Sequence, residues 1–129
     1  MSRQDFIIKI HLIISVLIVV PVAFIYGFKP SVEFDIYLGT TDEQNFFKAV
    51  MGLYIGFSIL WIFGIFQAKH LKTALISNVI FMFSLASGRI LSLLIDGMPS
   101  KIYVFGVVGE LIFGFYGLWV LNSKYPKKS

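Results

Sequence analysis

The sequence predicts an all-α integral membrane protein, a single four-helix antiparallel bundle. Three observations carry this reading. Apolar residues make up 57% of the 129-residue chain and charged ones only 14%, against roughly 45–50% and 25% in soluble domains. Mean hydropathy is +0.84. Four stretches also reach the ~20 apolar residues that a helix needs to cross a bilayer. A water-soluble globule of this size would need more charge on its surface, so a soluble enzyme, a disordered chain and a coiled coil are excluded.

The first stretch runs from Ile10 to Phe28, 19 residues without a charge. Arg3 and Lys9 ahead of it imitate a signal peptide. The run is longer than a usual signal core and no A-x-A site follows, so it is expected to remain as the first helix. Pro21 should kink that helix or widen its packing. A 17-residue connection follows, Lys29 to Asn45, carrying Glu33, Asp35, Asp42 and Glu43. Phe34, Ile36, Tyr37 and Leu38 within it suit a membrane surface. Thr41 with Gln44 reads as a capping box opening the second helix.

The second stretch spans Ala49 to Ala68 and the third Thr73 to Ile95, the latter interrupted by Arg89. Between them, Ala68 to Lys72 is a tight turn. Asp96-Gly97-Met98-Pro99-Ser100 ends the third helix, with Gly97 suited to the position after a helix and Ser100 to the cap of the next. The fourth stretch runs from Ile102 to Ser123, interrupted by Glu110. The expected helices are thus about 8–28, 42–67, 72–96 and 101–122, with short second and third connections forcing antiparallel neighbours. They fill the chain as one domain, residues 1–129.

Net charge is +4. The basic residues lie between apolar blocks, which points to anionic lipid and membrane orientation rather than nucleic acid. Arg3, Lys9, Lys69, Lys72, Lys124, Lys127 and Lys128 fall on one side of a four-span topology. Lys29, Lys101, Lys48 and Arg89 fall towards the other. The positive-inside rule then places both termini in the cytoplasm and the acidic first connection outside. The tail Lys124-Tyr125-Pro126-Lys127-Lys128 reads as an anionic-lipid contact or a solvated positive-inside tail. The absence of cysteine excludes disulfides, thiol catalysis and cysteine-ligated metals.

The informative residues are the charges inside the spans, because each costs about 2.5–3.5 kcal/mol at mid-bilayer on insertion scales. At a rise of about 1.5 Å per residue, Arg89 lies about 10 Å below the outer end of its helix, Glu110 about 12 Å and Lys48 about 10 Å. Alternating helix directions bring all three into one layer of the outer half. Asn78, Met82, Leu85, Arg89, Ser92 and Asp96 share a face of the third helix. Lys48, Gly52, Gly56, Leu60 and Gly64 share one of the second; Gly106, Glu110, Gly114 and Gly117 line the fourth. Such glycines let backbones approach closely, or leave room for a long side chain or a ligand.

Two readings fit this layer. It is a buried Arg89–Glu110 ion pair that locks the bundle, with Ser92 and Asp96 orienting Arg89. Or it is an outward-opening polar pocket whose charge sum, Lys48 and Arg89 against Glu110, favours a partner, with neutrality completed by Asp96 or by an anionic ligand. Lys48 taken alone is better explained by snorkelling to the surface. His11 and Ser15 share a face of the first helix and His70 sits in a turn; neither histidine pairs with Glu110, so polar packing explains them better than catalysis or a metal site. Trp61, Tyr116 and Trp119 are expected as packing and interface anchors.

From Phe46 to Leu121 the pattern resembles a known one. Lys48-Ala49-Val50-Met51-Gly52-Leu53-Tyr54-Ile55-Gly56 is similar to an R-A-x-G-G-L-Y-L-G start of a second helix. Gly88-Arg89-Ile90-Leu91-Ser92, followed by Asp96-Gly97-Met98-Pro99-Ser100, is similar to G-R-x-x-S-x-x-x-D-G-x-P-S. Glu110 matches an acidic residue of the fourth helix. These features resemble the bacterial four-helix membrane proteins of domain-of-unknown-function family 4345. Lys48 stands where that pattern has arginine, a point charge in place of a planar fork. The resemblance implies that Lys48, Arg89, Asp96 and Glu110 form the family's shared site, and brings no activity with it.

The function expected from these features is non-enzymatic. The chain is read as a small inner-membrane protein that binds a lipid-like or anionic ligand, or serves as an accessory subunit of a larger membrane complex. Its site is Lys48, Arg89, Ser92, Asp96 and Glu110, with no cofactor and no metal. Membrane lipid, a larger complex or a second copy are the expected partners; nucleic acid is not. The alternative is a small four-helix transporter that uses Glu110 as its coupling carboxylate. A membrane enzyme acting on lipid ranks last, for want of a nucleophile, a metal set or a second free carboxylate.

Overall fold

In the computed structural model, which describes residues 2–123, the chain forms four long helices and one short one. Helix α1 spans Arg3–Phe28, α2 Pro30–Glu33, α3 Thr41–Phe66, α4 Leu71–Ile95 and α5 Lys101–Asn122, with a 3-10 turn at Ala68–His70 between α3 and α4. All four long helices are apolar enough to cross a membrane. The tail from Lys124 onward lies outside the described residues.

The boundaries follow local chemistry. α1 starts earlier than hydropathy alone would place it, because the Ser2 side chain accepts a hydrogen bond from the Asp5 N–H at 3.1 Å. An Asp in the first turn also favours the helix dipole. Pro21 lies inside α1 and has no N–H to offer the Leu17 carbonyl. The cap of α3 is Thr40 rather than Thr41: the Thr40 hydroxyl accepts from the Glu43 N–H at 3.1 Å and donates to its carboxylate at 3.0 Å. The sequence offers both registers, Thr40–Glu43 and Thr41–Gln44, and the carboxylate is the stronger acceptor. Gly97 follows α4 at φ +103°, the left-handed conformation that glycine takes at no steric cost. Ser100 occupies the first cap of α5 without a side-chain bond.

Helix α2 interrupts the first connection. Pro30 opens it in the position where a missing N–H costs nothing. Backbone bonds from Phe34 and Ile36 to the Pro30 carbonyl close it, with Asp35 left-handed at φ 55°. This short turn carries Phe34 inward against Tyr26, ring centroids 4.9 Å apart.

Consecutive long helices pack side by side: α1 along α3, α3 along α4, and α4 along α5. By contrast α1 touches α4 and α5 over short stretches only, and α3 and α5 do not meet. The α1–α5 seam is closed at its lower end. Gln4 Nε2 donates to the Val120 carbonyl at 2.9 Å. Buried His11 pairs with the Asn78 side chain at 2.9 Å and lies against Phe113 and Tyr116. Fully buried Leu12, Ser15, Trp61, Leu75, Asn78 and Val120 fill the interior there. Trp61 is a core residue whose indole donates to Ser77, whereas Tyr116 and Trp119 stay exposed. The outer faces carry Leu17, Phe24, Leu53, Ile80, Phe105, Ile112 and Phe115, the side chains a lipid environment accepts.

Of the α3 glycine stripe, Gly64 alone lies at a close approach. A Cβ at Gly52 or Gly56 would meet nothing within 4 Å, and the same holds for Gly88 and Gly109. Close approach falls instead at Gly27 against Met51, Gly64 against Ala74, Gly114 against Phe83 and Gly117 against Val79 and His11. The reason is angular. α3 buries Tyr54, Ser58 and Trp61, and at about 100° per residue Gly52 and Gly56 turn away from that stripe.

Candidate functional site

The upper part of the α1–α5 seam is open. A cavity of about 370 Å³ lies there, walled by Ser15, Val19, Val22 and Tyr26 of α1, by Met82, Leu85 and Arg89 of α4, and by Gly106, Gly109, Glu110 and Phe113 of α5. Tyr54 and Phe81 form its back. The α1 and α5 residues recur every three or four positions, so each helix turns one continuous face towards it. The rim residues Ile18, Ile102 and Phe105 are exposed, so the mouth opens sideways between the two helices. Phe34 and Tyr103 roof the upper end: the Tyr103 hydroxyl donates to the Phe34 carbonyl, tying the first connection down onto α5. The lining is overwhelmingly apolar, and the volume falls within the ~300–1,000 Å³ typical of ligand sites.

One charged pair stands in its wall. Arg89 Nε donates to both Glu110 oxygens, at 3.0 and 3.2 Å, and Nη2 donates to the Tyr26 hydroxyl at 3.2 Å. The guanidinium carbon lies 5.8 Å from the Tyr103 ring centroid, a cation–π distance. Helical side chains lean towards the N-terminus of their own helix. Arg89 therefore leans downward from α4, while Glu110 on antiparallel α5 leans upward to meet it. The guanidinium passes beside Gly106, where a Cβ would lie in ordinary van der Waals contact with Arg89 Cζ at 3.8 Å. The side chains are 23% and 13% exposed, which is enough for the pair to face the cavity rather than be sealed from it.

The other expected site residues stand apart from this pair. Lys48 is exposed, with Nζ 5.5 Å from the Phe28 ring centroid. Six residues at about 100° each put it about 120° around α3 from Tyr54, the cavity-facing position. Ser92 donates to Asp96 at 2.8 Å on an exposed surface. Both lie on the C-terminal side of Arg89, the direction away from which its side chain leans, so neither orients it. The expected layer thus separates into an ion pair facing a cavity and two unconnected surface features. Removing Lys48 from it changes the charge sum of the site from +1 to zero.

Sequence reasoning did not single out Tyr26, Tyr54 or Tyr103, which supply the remaining hydroxyls of the cavity. A tyrosine near a helix end reads equally well as an interface anchor. The available signal was depth: Tyr26 and Tyr103 each lie within three residues of the outer end of their helix, one or two turns above the charges. His11 is packed as a polar core residue, hydrogen-bonded to Asn78. Among the described residues no group of His, Asp or Glu side chains could hold a metal ion.

The profile of the domain of unknown function DUF4345 matches residues 7–121, which takes in all four long helices. The chain belongs to the DUF4345 family. Comparison with curated proteins and with solved structures returns no match. The family's defining stretch therefore contains every residue that lines the cavity, together with the Gly88-Arg89 and Glu110 positions noted in the sequence.

Proposed function

We propose that this DUF4345 protein is a non-enzymatic, multi-pass protein of a bacterial inner membrane that holds a lipid-like ligand between α1 and α5, either alone or as an accessory subunit of a larger membrane complex. The observation that carries the reading is the cavity itself: apolar, roofed by Phe34 and Tyr103, open sideways between two membrane-length helices, and bearing a single ion pair in its wall. A tail would lie along Ile18, Val19, Val22 and Phe113, and a polar head would meet Arg89. The distribution of basic residues supports cytoplasmic termini, with the cavity in the outer half. A reporter fused after Ser129 should accordingly be active only in the cytoplasm.

A coupling carboxylate for transport needs to be free to gain and lose a proton. Glu110 accepts from Arg89 through both oxygens, which weighs against that alternative.

The test is native mass spectrometry of the full chain extracted in mild detergent. The wild-type protein should carry a lipid-sized adduct. Gly109→Leu should lose it while keeping the wild-type helical content, because the added side chain starts in open space and extends into the slot. Equal adduct on both proteins would place the lipid elsewhere and refute the reading.

A further inference from the structure

Resting on the reading of the cavity as a lipid site, we infer that its ligand carries an uncharged head bearing carbonyl oxygens, and that the site discriminates against anionic lipids. The Arg89–Glu110 pair is internally neutral and sits in the wall of an apolar slot. Lys48, the second cation of the same depth layer, is turned away onto the outer surface beside Phe28. Asp96 is likewise outside, bonded to Ser92. An anion placed against Arg89 would face the Glu110 carboxylate across a few ångströms of low-dielectric space, with no second cation among the described lining residues to offset it.

The hydrogen-bonding capacity points the same way. A guanidinium has five N–H donors and no acceptor. Nε–H goes to Glu110 and one Nη2 hydrogen to Tyr26. The Nη1 hydrogens and the second on Nη2 are left for the nearby Tyr54 hydroxyl and a ligand to share. Tyr26 accepts from Arg89, so its own hydroxyl hydrogen is also left to donate. Glu110 takes the single Nε hydrogen through both oxygens, and its remaining lone pairs can accept from a ligand hydroxyl. The site therefore offers donors that a neutral carbonyl group can satisfy without bringing charge against Glu110.

Two kinds of membrane lipid carry that chemistry: a quinone ring with its alkyl tail, and the ester carbonyls of a diacylglycerol. The rings of Tyr26, Phe34 and Tyr103 at the upper end offer flat apolar surface to the first. The apolar slot suits both.

The experiment is equilibrium binding of four probes to the detergent-solubilised full chain: an alkyl-tailed benzoquinone, dioctanoylglycerol, dodecanoate and dioctanoyl phosphatidylglycerol. One or both neutral probes should bind at least about tenfold more tightly than either anion, the scale of one hydrogen bond to a charged group. Which neutral probe prevails identifies the source of the carbonyl. Glu110→Gln keeps an acceptor for Arg89 Nε but leaves the site cationic, so dodecanoate should gain affinity and the preference should shrink or invert. Tyr26→Phe removes one donor without changing charge and should weaken the neutral probes severalfold. It serves as the test should Glu110→Gln fail to fold. Anions binding as well as the neutral probes, or a preference untouched in the folded Glu110→Gln protein, would overturn the head-group assignment and leave the lipid site standing. If no probe binds in a manner sensitive to Gly109→Leu, the lipid site falls as well.

Discussion

Replacing Arg89 and Glu110 singly and together isolates the energy of the only ion pair among the described residues. Removing one member of a buried pair costs about 3–5 kcal/mol, since the other is left charged without a partner. The side chains are 23% and 13% exposed, and Arg89 keeps its bond to Tyr26, so the lower end applies. Arg89→Leu or Glu110→Leu should each lose about 3 kcal/mol. Independent sites would sum to about 6 kcal/mol in the double replacement. Because neither charge is then stranded, the double should cost no more than either single, which makes the coupling about 3 kcal/mol. The assay is unfolding of the micelle-bound protein by added dodecyl sulfate, followed by tryptophan fluorescence in a Trp119→Phe background that leaves fully buried Trp61 as the reporter. A double replacement near the sum of the singles would show that the two groups are solvated separately, and the account of the cavity wall would fail with it.

Glycine replacements should sort by contact, not by sequence spacing. Gly114→Leu and Gly117→Leu run into Phe83, Val79 and His11 and should lose about 1–3 kcal/mol by overpacking, whereas Gly56→Leu should stay within about 0.5 kcal/mol; thermal melting in detergent that ranks Gly56→Leu equal to them would contradict the helix rotation described. At the start of α3, Thr40→Ala should cost about 1 kcal/mol and Thr41→Ala little, with faster amide exchange at Glu43 in the first variant only; the reverse order would return the cap to Thr41.

The fold class was legible because hydropathy integrates over 20 or so residues, and a membrane admits few solutions for a chain of this composition. Turns were legible where one residue type dominates the geometry, as at Gly97. Register was not. Thr40 and Thr41 are both followed three residues later by a capping partner, and the pattern alone does not rank Glu43 above Gln44. Within the site, depth was readable from residue counts, which brought Arg89 and Glu110 together, but azimuth was not. Lys48 shares their depth and points elsewhere, because the direction of a helix face depends on which residues its neighbours bury, and Tyr54, Ser58 and Trp61 set that for α3. Gly52 and Gly56 misled for the same reason, whereas Gly64, Gly114 and Gly117 do sit at close approaches. Helix α2 was signalled by Pro30 at an N-terminal position, yet four residues are too few for any periodic pattern. Its consequence, Phe34 placed over the cavity, arises from a contact between segments far apart in sequence.

The hydrogen bond between Tyr103 and the Phe34 carbonyl closes the cavity towards the aqueous face and leaves the side between α1 and α5 as the way in. A molecule using that route leaves one hydrocarbon environment for another. Transfer from water, the usual source of affinity for apolar ligands, contributes nothing to that exchange, because lipid tails are as apolar as the side chains that replace them. The occupancy of such a site is set by mole fraction in the bilayer rather than by concentration in water. Discrimination among thousands of competing lipid molecules then falls on the few polar atoms around Arg89.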